Sequence, residues 1–236
     1  MAVLGLGKGK KCLDVGCGYG RHLIPLLERG IDVYGADLSR FMLEKTAKRI
    51  SESAGMAETR INRSETAEPG AGKRSRLVQC DNRALPFYGV FDCAVNMFNS
   101  FGYFESEQDN YRMLVSMAGA LKPGGLFLID LVNRDFVLRH FTRKDWFEHD
   151  GAVILEKKWF EPKSNRTEID VSVLDALGKR NHHYSIRLYS YTELVLLLEA
   201  AGFVVKAVFG GFSGEEFDMH HDRMLVLSQS LEMEEE

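Results

Sequence analysis

The chain has 236 residues, of which 45% are hydrophobic and 27% are charged, proportions that are ordinary for a globular protein. The formal net charge of −4 disfavours binding to a nucleic acid backbone, so no nucleic acid partner is expected. No apolar run reaches the ~20 residues that span a bilayer, and the first residues lack the pattern of a signal peptide. These features predict a cytoplasmic protein without a membrane partner.

Strand-like and helix-like segments alternate along the first 135 residues. The predicted strands are residues 11–16, 32–37, 76–81, 91–98 and 126–132, and the predicted helices are residues 20–30, 38–50 and 108–121. This alternation is typical of a doubly wound, mostly parallel α/β sheet of the Rossmann-like kind. The polar residues 51–76 interrupt it and are predicted to form a mobile loop.

The pattern changes after residue 135, where three extended runs with alternating polarity predict an antiparallel β meander. These runs are residues 152–162, 166–175 and 180–190. A helix then begins at a capping box formed by Ser190 and Glu193, and two more strands complete a seven-stranded sheet. The predicted division is a cofactor-binding core in residues 1–135, an insertion in residues 136–190 that covers an acceptor site, and the completion of the sheet in residues 191–236.

The glycine-rich turn after the first strand predicts a ligand site. Dinucleotide folds have the pattern G-x-G-x-x-G, whereas this chain has Gly16, Gly18 and Gly20, with Arg21 where the third glycine of that pattern belongs. A phosphate loop would require Lys-Ser or Lys-Thr, which is missing here. Asp37 at the end of the second strand can accept hydrogen bonds from any ribose diol and so does not discriminate between nucleosides.

Four blocks in order, LDVGCGYG, DLS, DN and LKPGG, resemble those of the class I S-adenosylmethionine-dependent methyltransferases. The resemblance extends from Lys10 to Asp130 and also includes the closing helix and two strands. It implies S-adenosyl-L-methionine as cofactor, S-adenosyl-L-homocysteine as product, and methyl transfer to nitrogen or oxygen of a small-molecule acceptor.

By this resemblance, ten residues at the ends of the first four strands are expected to bind the cofactor. Gly16 and Gly18 let its methionyl part approach the backbone, Asp37 accepts from the ribose, and Asp81 accepts from the adenine amine. The full set is Asp14, Gly16, Cys17, Gly18, Asp37, Leu38, Asp81, Asn82, Met97 and Phe98.

The acceptor side carries a weaker signal. The stretch NMFNSFGYF lacks the prolines found in nucleic-acid amino-methylating relatives, which favours a small-molecule acceptor. The resemblance implies that Asn99, Tyr103, His183 and Tyr189 contact that acceptor, although only alternate residues of a strand can face it. No catalytic residue is assigned, because transfer from a sulfonium chiefly requires alignment.

Other interpretations of the same residues stay open at this point. The four cysteines form no C-x-x-C pair and the adjacent histidines cannot chelate from one strand, so no metal is predicted. Members of this family usually have a helical segment before the first strand, whereas here that strand begins near Lys10. A non-catalytic cofactor-binding subunit or sensor and a nicotinamide-dependent oxidoreductase are the alternatives, and the chain is expected to be a monomer or a homodimer.

Overall fold

The structure is a computed structural model that describes residues 4–7, 9–54, 61–63 and 76–231, except for the side chains of residues 53, 54, 62 and 63. In chain order the elements are β1 (Lys11–Val15), α1 (Leu23–Glu28), β2 (Asp32–Asp37), α2 (Arg40–Ala54), β3 (Ile61–Arg63), β4 (Leu77–Gln79), β5 (Phe91–Asn96), α3 (Glu107–Ala120), β6 (Leu121–Val132), α4 (Arg134–Arg139), β7 (Lys144–His149), β8 (Ala152–Glu161), β9 (Arg166–Asp175), β10 (Gly178–Arg187), α5 (Tyr191–Ala200), β11 (Phe203–Phe209) and β12 (Arg223–Ser230).

Eight of these strands form one sheet in the order β11-β12-β6-β5-β1-β2-β4-β3. The strands from β6 to β3 are parallel, and β12 pairs antiparallel with both β6 and β11. The chain moves outward from β1 in both directions, so a topological switch point lies between β1 and β5, where open α/β sheets bind ligands. The predicted doubly wound, mostly parallel sheet is confirmed.

Apolar helices cover both faces of this sheet. Buried residues of α3 and α5 pack on one face, among them Met113 and Leu194, and buried residues of α1 and α2 pack on the other, among them Leu23 and Leu43. Leu23 approaches so closely that a β-carbon built on Gly35 of β2 would lie 2.5 Å from its Cδ1 atom. The helices therefore sit tightly on the sheet and fix the ends of its central strands.

Two details of the strands differ from the sequence prediction. Within residues 51–76, predicted as a loop, residues 51–54 belong to α2 and residues 61–63 form the edge strand β3, whereas residues 55–60 and 64–75 lie outside the described residues. The predicted three-stranded meander is a four-stranded antiparallel sheet in the order β10-β9-β8-β7. All six residues of β7 are exposed, so this strand has no alternation of polarity that a sequence pattern could reveal.

Charged side chains fasten one end of this second sheet to the larger sheet's helices. Arg187 of β10 bonds Glu107 at 2.7 Å and Glu193 at 2.6 Å, and so links the starts of α3 and α5. Arg166 of β9 donates to the Phe104 carbonyl oxygen at 2.9 Å. None of the described helices is long and apolar enough to cross a membrane.

Candidate functional site

Residues 16–22, called here the glycine segment, leave β1 at the switch point of the sheet. Gly16 and Gly18 have φ angles of 72° and 53°, a left-handed region that favours glycine. A β-carbon built on Gly16 would lie 3.0 Å from Cβ of Ser100, so this glycine is in close contact with the residues that follow β5. A β-carbon on Gly18 would meet nothing within 4 Å, so the backbone there borders open space.

Asp37 ends β2 next to this segment. One carboxylate oxygen accepts from the Gly18 backbone N–H at 2.8 Å, and the other accepts from the Ser39 N–H at 2.8 Å. Leu38 follows with 66% of its side chain exposed, and its carbonyl oxygen accepts from Gln79 at 3.2 Å. A fixed carboxylate beside an exposed apolar side chain suits a nucleoside, which has hydroxyl donors and a flat ring.

Asp14 lies beneath the glycine segment and is only 2% exposed. Burial is the main cause that raises the pKa of Asp14 to about 7, and the negative charge of Asp37 adds to it. A hydrogen bond from the Leu23 backbone opposes this shift. Its Oδ2 atom has no hydrogen-bond partner among the described residues. The site therefore holds a buried carboxyl group that ionises less readily than an ordinary aspartate.

Asp81 and Asn82 lie just after β4, where adenine recognition was predicted. The Asp81 carboxylate accepts from Arg83, with the shorter side-chain distance at 2.6 Å, and these hydrogen bonds lower the pKa of Asp81. It also accepts from the Arg83 backbone and so starts a short 3-10 turn, Asn82–Ala84. Asn82 keeps a buried Oδ1 atom without a partner in this part of the structure. Asp81 is thus already occupied, whereas Asn82 retains an acceptor.

Residues 97–100, called here the β5 corner, face the glycine segment. Met97 is buried, whereas Phe98 is 44% exposed and lies 5.0 Å from the His22 ring and 5.7 Å from the Phe212 ring, between centroids. Burial lowers the pKa of His22, although the charge of Asp130 opposes this shift, so the imidazole is neutral at pH 7. The His22 Nε2 atom is buried and has no partner within the described ranges.

Four residues that contact or surround Phe98 were not predicted from the sequence: His22, Phe212, Asp130 and Arg223. His22 directly follows the glycine block, so its position was a usable signal. Phe212 and Arg223 come from the far end of the chain and only the fold brings them here.

The predicted acceptor residues divide between different environments. The Tyr103 ring is 51% exposed and lies 6.4 Å from the Tyr184 ring of β10, so the second sheet meets the segment after the β5 corner here. His183, the preceding residue of β10, points to the other face, where Asp170 accepts at 2.9 Å and raises the pKa of His183. Tyr103 and His183 therefore do not lie on the same face of the second sheet.

Two further predicted acceptor residues have structural roles. Tyr189 is 1% exposed, packs on Phe101 and donates to Glu107 at 2.9 Å. The Asn99 Oδ1 atom accepts from the Val132 backbone at 3.1 Å and so stabilises the β5 corner from within. Cys17 is also buried, at 7% exposure, with its sulfur against the sheet rather than in open space. In the described part of the chain, no three His, Cys, Asp or Glu side chains are grouped to hold a metal ion.

Comparison with known proteins identifies the family. Residues 2–208 match the family model described as a methyltransferase domain. The chain belongs to the class I S-adenosylmethionine-dependent methyltransferases. A crystal structure of such an enzyme from Clostridium acetobutylicum superposes with a TM-score of 0.79, covers 98% of this chain and 87% of its own, and shares 16% identity. The predicted family is confirmed, and S-adenosylmethionine is the cofactor of this methyltransferase.

Two named relatives resemble most of this methyltransferase. The dTDP-3-amino-3,4,6-trideoxy-alpha-D-glucopyranose N,N-dimethyltransferase of Streptomyces venezuelae is 27% identical over 86% of this chain and 78% of its own length. The cypemycin N-terminal methyltransferase of a Streptomyces species is 30% identical over 93% of this chain and 82% of its own. The similarity to these relatives therefore includes the second sheet as well as the cofactor-binding half.

Proposed function

We propose that this methyltransferase methylates the amine nitrogen of a small-molecule acceptor. The observation that carries the proposal is that two relatives matching nearly the whole chain have names that specify an amino-sugar nitrogen and a peptide N-terminus. Both acceptors present an aliphatic amine, although the molecules that carry it differ greatly. The shared chemistry thus lies at the nitrogen, and the rest of the acceptor varies.

The residues present fit the cofactor in a way that supports its proposed location. The open space beside Gly18 would receive the methionyl part, and the Asp14 oxygen without a partner would face its ammonium group. Asp37, already oriented by two backbone N–H groups, would accept from the ribose hydroxyls, and Leu38 would pack on the adenine. Asn82 is a better candidate for the adenine edge than Asp81, because its Oδ1 atom is free.

Beyond binding the cofactor, the protein must align the acceptor amine with the methyl group. Bound S-adenosylmethionine supplies a methyl group already activated by its sulfonium, so the carbon–sulfur bond breaks as the carbon–nitrogen bond forms. The chain must hold a neutral amine in line with that bond and exclude water. The neutral His22 ring and the Phe98 and Phe212 rings would form an aromatic surface beside the glycine segment.

The insertion of residues 136–190 would cover the acceptor. Lys158, Ile169 and Tyr184 are cross-strand partners on one face of the second sheet, and this is the face that meets Tyr103. We assign acceptor contact to this face, with Tyr103 and Tyr184 as its aromatic members. His183 lies on the opposite face and is excluded from the proposed pocket.

A paired acceptor panel tests the proposal. Radiolabelled S-adenosylmethionine is incubated with an amino sugar nucleotide, glycine and a short peptide, each beside an analogue in which a hydroxyl replaces the amine. We expect label on one or more amines and none on the matched hydroxyl compounds. Transfer to the hydroxyl compounds would overturn the nitrogen assignment. Cofactor binding without any transfer would favour a non-catalytic subunit or sensor instead.

A further inference from the structure

The β5 corner has an unusual backbone. Phe98 and Asn99 have φ angles of 54° and 61°, a left-handed conformation that is unfavourable for residues with side chains, most of all for a bulky one. Two such residues in succession persist only where the surrounding contacts determine their conformation. Those contacts come from the ends of β6 and β12.

Asp130 of β6 holds both residues. Its side-chain Oδ2 atom accepts from the Phe98 N–H at 2.8 Å, and its main-chain oxygen accepts from the Asn99 N–H at 2.9 Å. Asp130 is fully buried, so its negative charge needs a partner within the protein.

Arg223 of β12 is that partner. Its Nε atom donates to Oδ1 of Asp130 at 2.8 Å, and its Nη2 atom donates to Oδ2, so the guanidinium binds the carboxylate through two parallel hydrogen bonds. The same guanidinium lies 5.3 Å from the centroid of the Phe98 ring and 5.5 Å from that of Phe212. Arg223 thus contacts the β5 corner twice, through Asp130 and through the Phe98 ring.

The β5 corner in turn forms one wall of the cofactor site. Ser100 would lie 3.0 Å from a β-carbon on Gly16, and the Phe98 ring lies next to His22 and 4.7 Å from the Arg21 guanidinium carbon. A shift of the corner would therefore change the space beside the glycine segment. Among the described residues, the end of the site near Asp37 and Asn82 makes no hydrogen bond to the corner, so it would change little.

We propose that Arg223 is a positioning residue that acts through Asp130 to fix the β5 corner against the methionyl half of the cofactor. The inference rests on the proposed location of S-adenosylmethionine. It assigns a role in cofactor geometry to a residue of the last strand, which has no catalytic contact of its own.

Two ligands separate this role from a general structural one. S-adenosylhomocysteine has the complete aminocarboxypropyl chain, whereas 5′-methylthioadenosine has the adenosine and sulfur without it. Calorimetric titration of Arg223→Met should weaken S-adenosylhomocysteine binding about tenfold or more, since the variant removes charge-assisted hydrogen bonds. Binding of 5′-methylthioadenosine to Arg223→Met should stay within about twofold of wild type. Arg223→Lys should recover part of the lost S-adenosylhomocysteine affinity, because lysine keeps the charge but not the paired hydrogen bonds.

Arg180→Met is the matched control. Arg180 also donates two hydrogen bonds to one carboxylate, that of Asp175, but in the β9–β10 hairpin. It should leave both affinities unchanged. Differential scanning calorimetry checks that each variant folds, and Arg223→Lys supplies the comparison if Arg223→Met does not.

The outcomes are distinguishable. If wild type binds both ligands and Arg223→Met binds them as wild type does, or loses both equally, the positioning role is wrong while the proposed function stands. If wild type binds neither ligand, the proposed cofactor site is wrong and the inference falls with it.

Discussion

The Asp37 carboxylate accepts a 2.8 Å hydrogen bond from the Gly18 backbone, so the end of β2 fixes the conformation of the segment that follows β1. Its other oxygen is held by Ser39 at the same distance. Each oxygen still has room for a second donor. A ribose diol arriving at this edge would meet two acceptors whose orientation is already set.

Replacing Asp37 by Ala should therefore weaken S-adenosylhomocysteine binding by about 1–3 kcal/mol, the usual cost of leaving polar partners unpaired. Isothermal titration calorimetry measures the change. Glu44→Ala serves as control, because Glu44 is exposed on α2 and pairs only with Arg40 among the contacts described. Wild-type affinity in Asp37→Ala would show that the ribose binds elsewhere.

Replacing Asp81 by Ala should weaken S-adenosylhomocysteine binding less than replacing Asp37 by Ala does. The Asp81 carboxylate already accepts from Arg83, so this carboxylate has little capacity left for a ligand. The Arg83 guanidinium is itself held by Asp109, at 3.1 Å. The same titration tests this order, and Asn82→Ala should cost more than Asp81→Ala. Equal losses for Asp37 and Asp81 would mean that the Arg83 pair opens when the cofactor binds.

Stability should fall as the pH rises from about 4 to about 7, because the pKa of Asp14 is raised to about 7 in the folded protein. In that window the folded state holds a proton that the unfolded state has released, and the contribution levels off above pH 7. Each pH unit within the window costs on the order of 1 kcal/mol. Asp14→Asn should remove this slope in urea unfolding at pH 5 and pH 8.

Asp92→Asn is the control for that experiment. Burial opposes ionisation of Asp92 too, but hydrogen bonds from Lys11 and Lys122 outweigh it and lower its pKa. Its substitution should therefore leave the slope between pH 5 and pH 8 intact. A slope in Asp14→Asn equal to that of wild type would show that Asp14 is ionised throughout this range.

Tyr184→Ala should raise KM for the acceptor several-fold, whereas His183→Ala should leave it unchanged. The two residues are neighbours on β10 but face opposite sides of the second sheet, and only Tyr184 meets Tyr103. Steady-state kinetics with an acceptor identified from the panel distinguish them. A larger effect from His183→Ala would place the acceptor on the other face.

Much of the fold could be predicted because local chemistry decided it. Ser190 and Glu193 form the predicted capping box at the start of α5, and the Ser39 side chain accepts from the Met42 N–H at the start of α2. Buried strands such as β5 appeared as apolar runs. Helix α3 ends at Ala120, directly before the stretch that contains Pro-Gly-Gly, and the β5–β6 register shifts across that stretch and resumes at Leu126.

The site could be predicted only where one segment carries the signal. The glycine segment and Asp37 adjoin their own strands, so spacing was enough. The burial of Tyr189 could not be predicted, because an aromatic residue that lines a pocket and one in the core beneath it have the same sequence pattern. Arg223 had no local signal, since its partner is set by the antiparallel register that pairs Leu225 with Asp130.

The contact between Asp130 and Arg223 joins residues 93 positions apart, and β12 enters the sheet between β6 and β11. During synthesis the parallel strands emerge first, and until β12 arrives Asp130 lacks its counter-ion and β6 has an unpaired edge. A nascent chain that stopped before Arg223 would therefore contain the glycine segment yet lack the ion pair that holds the β5 corner opposite it.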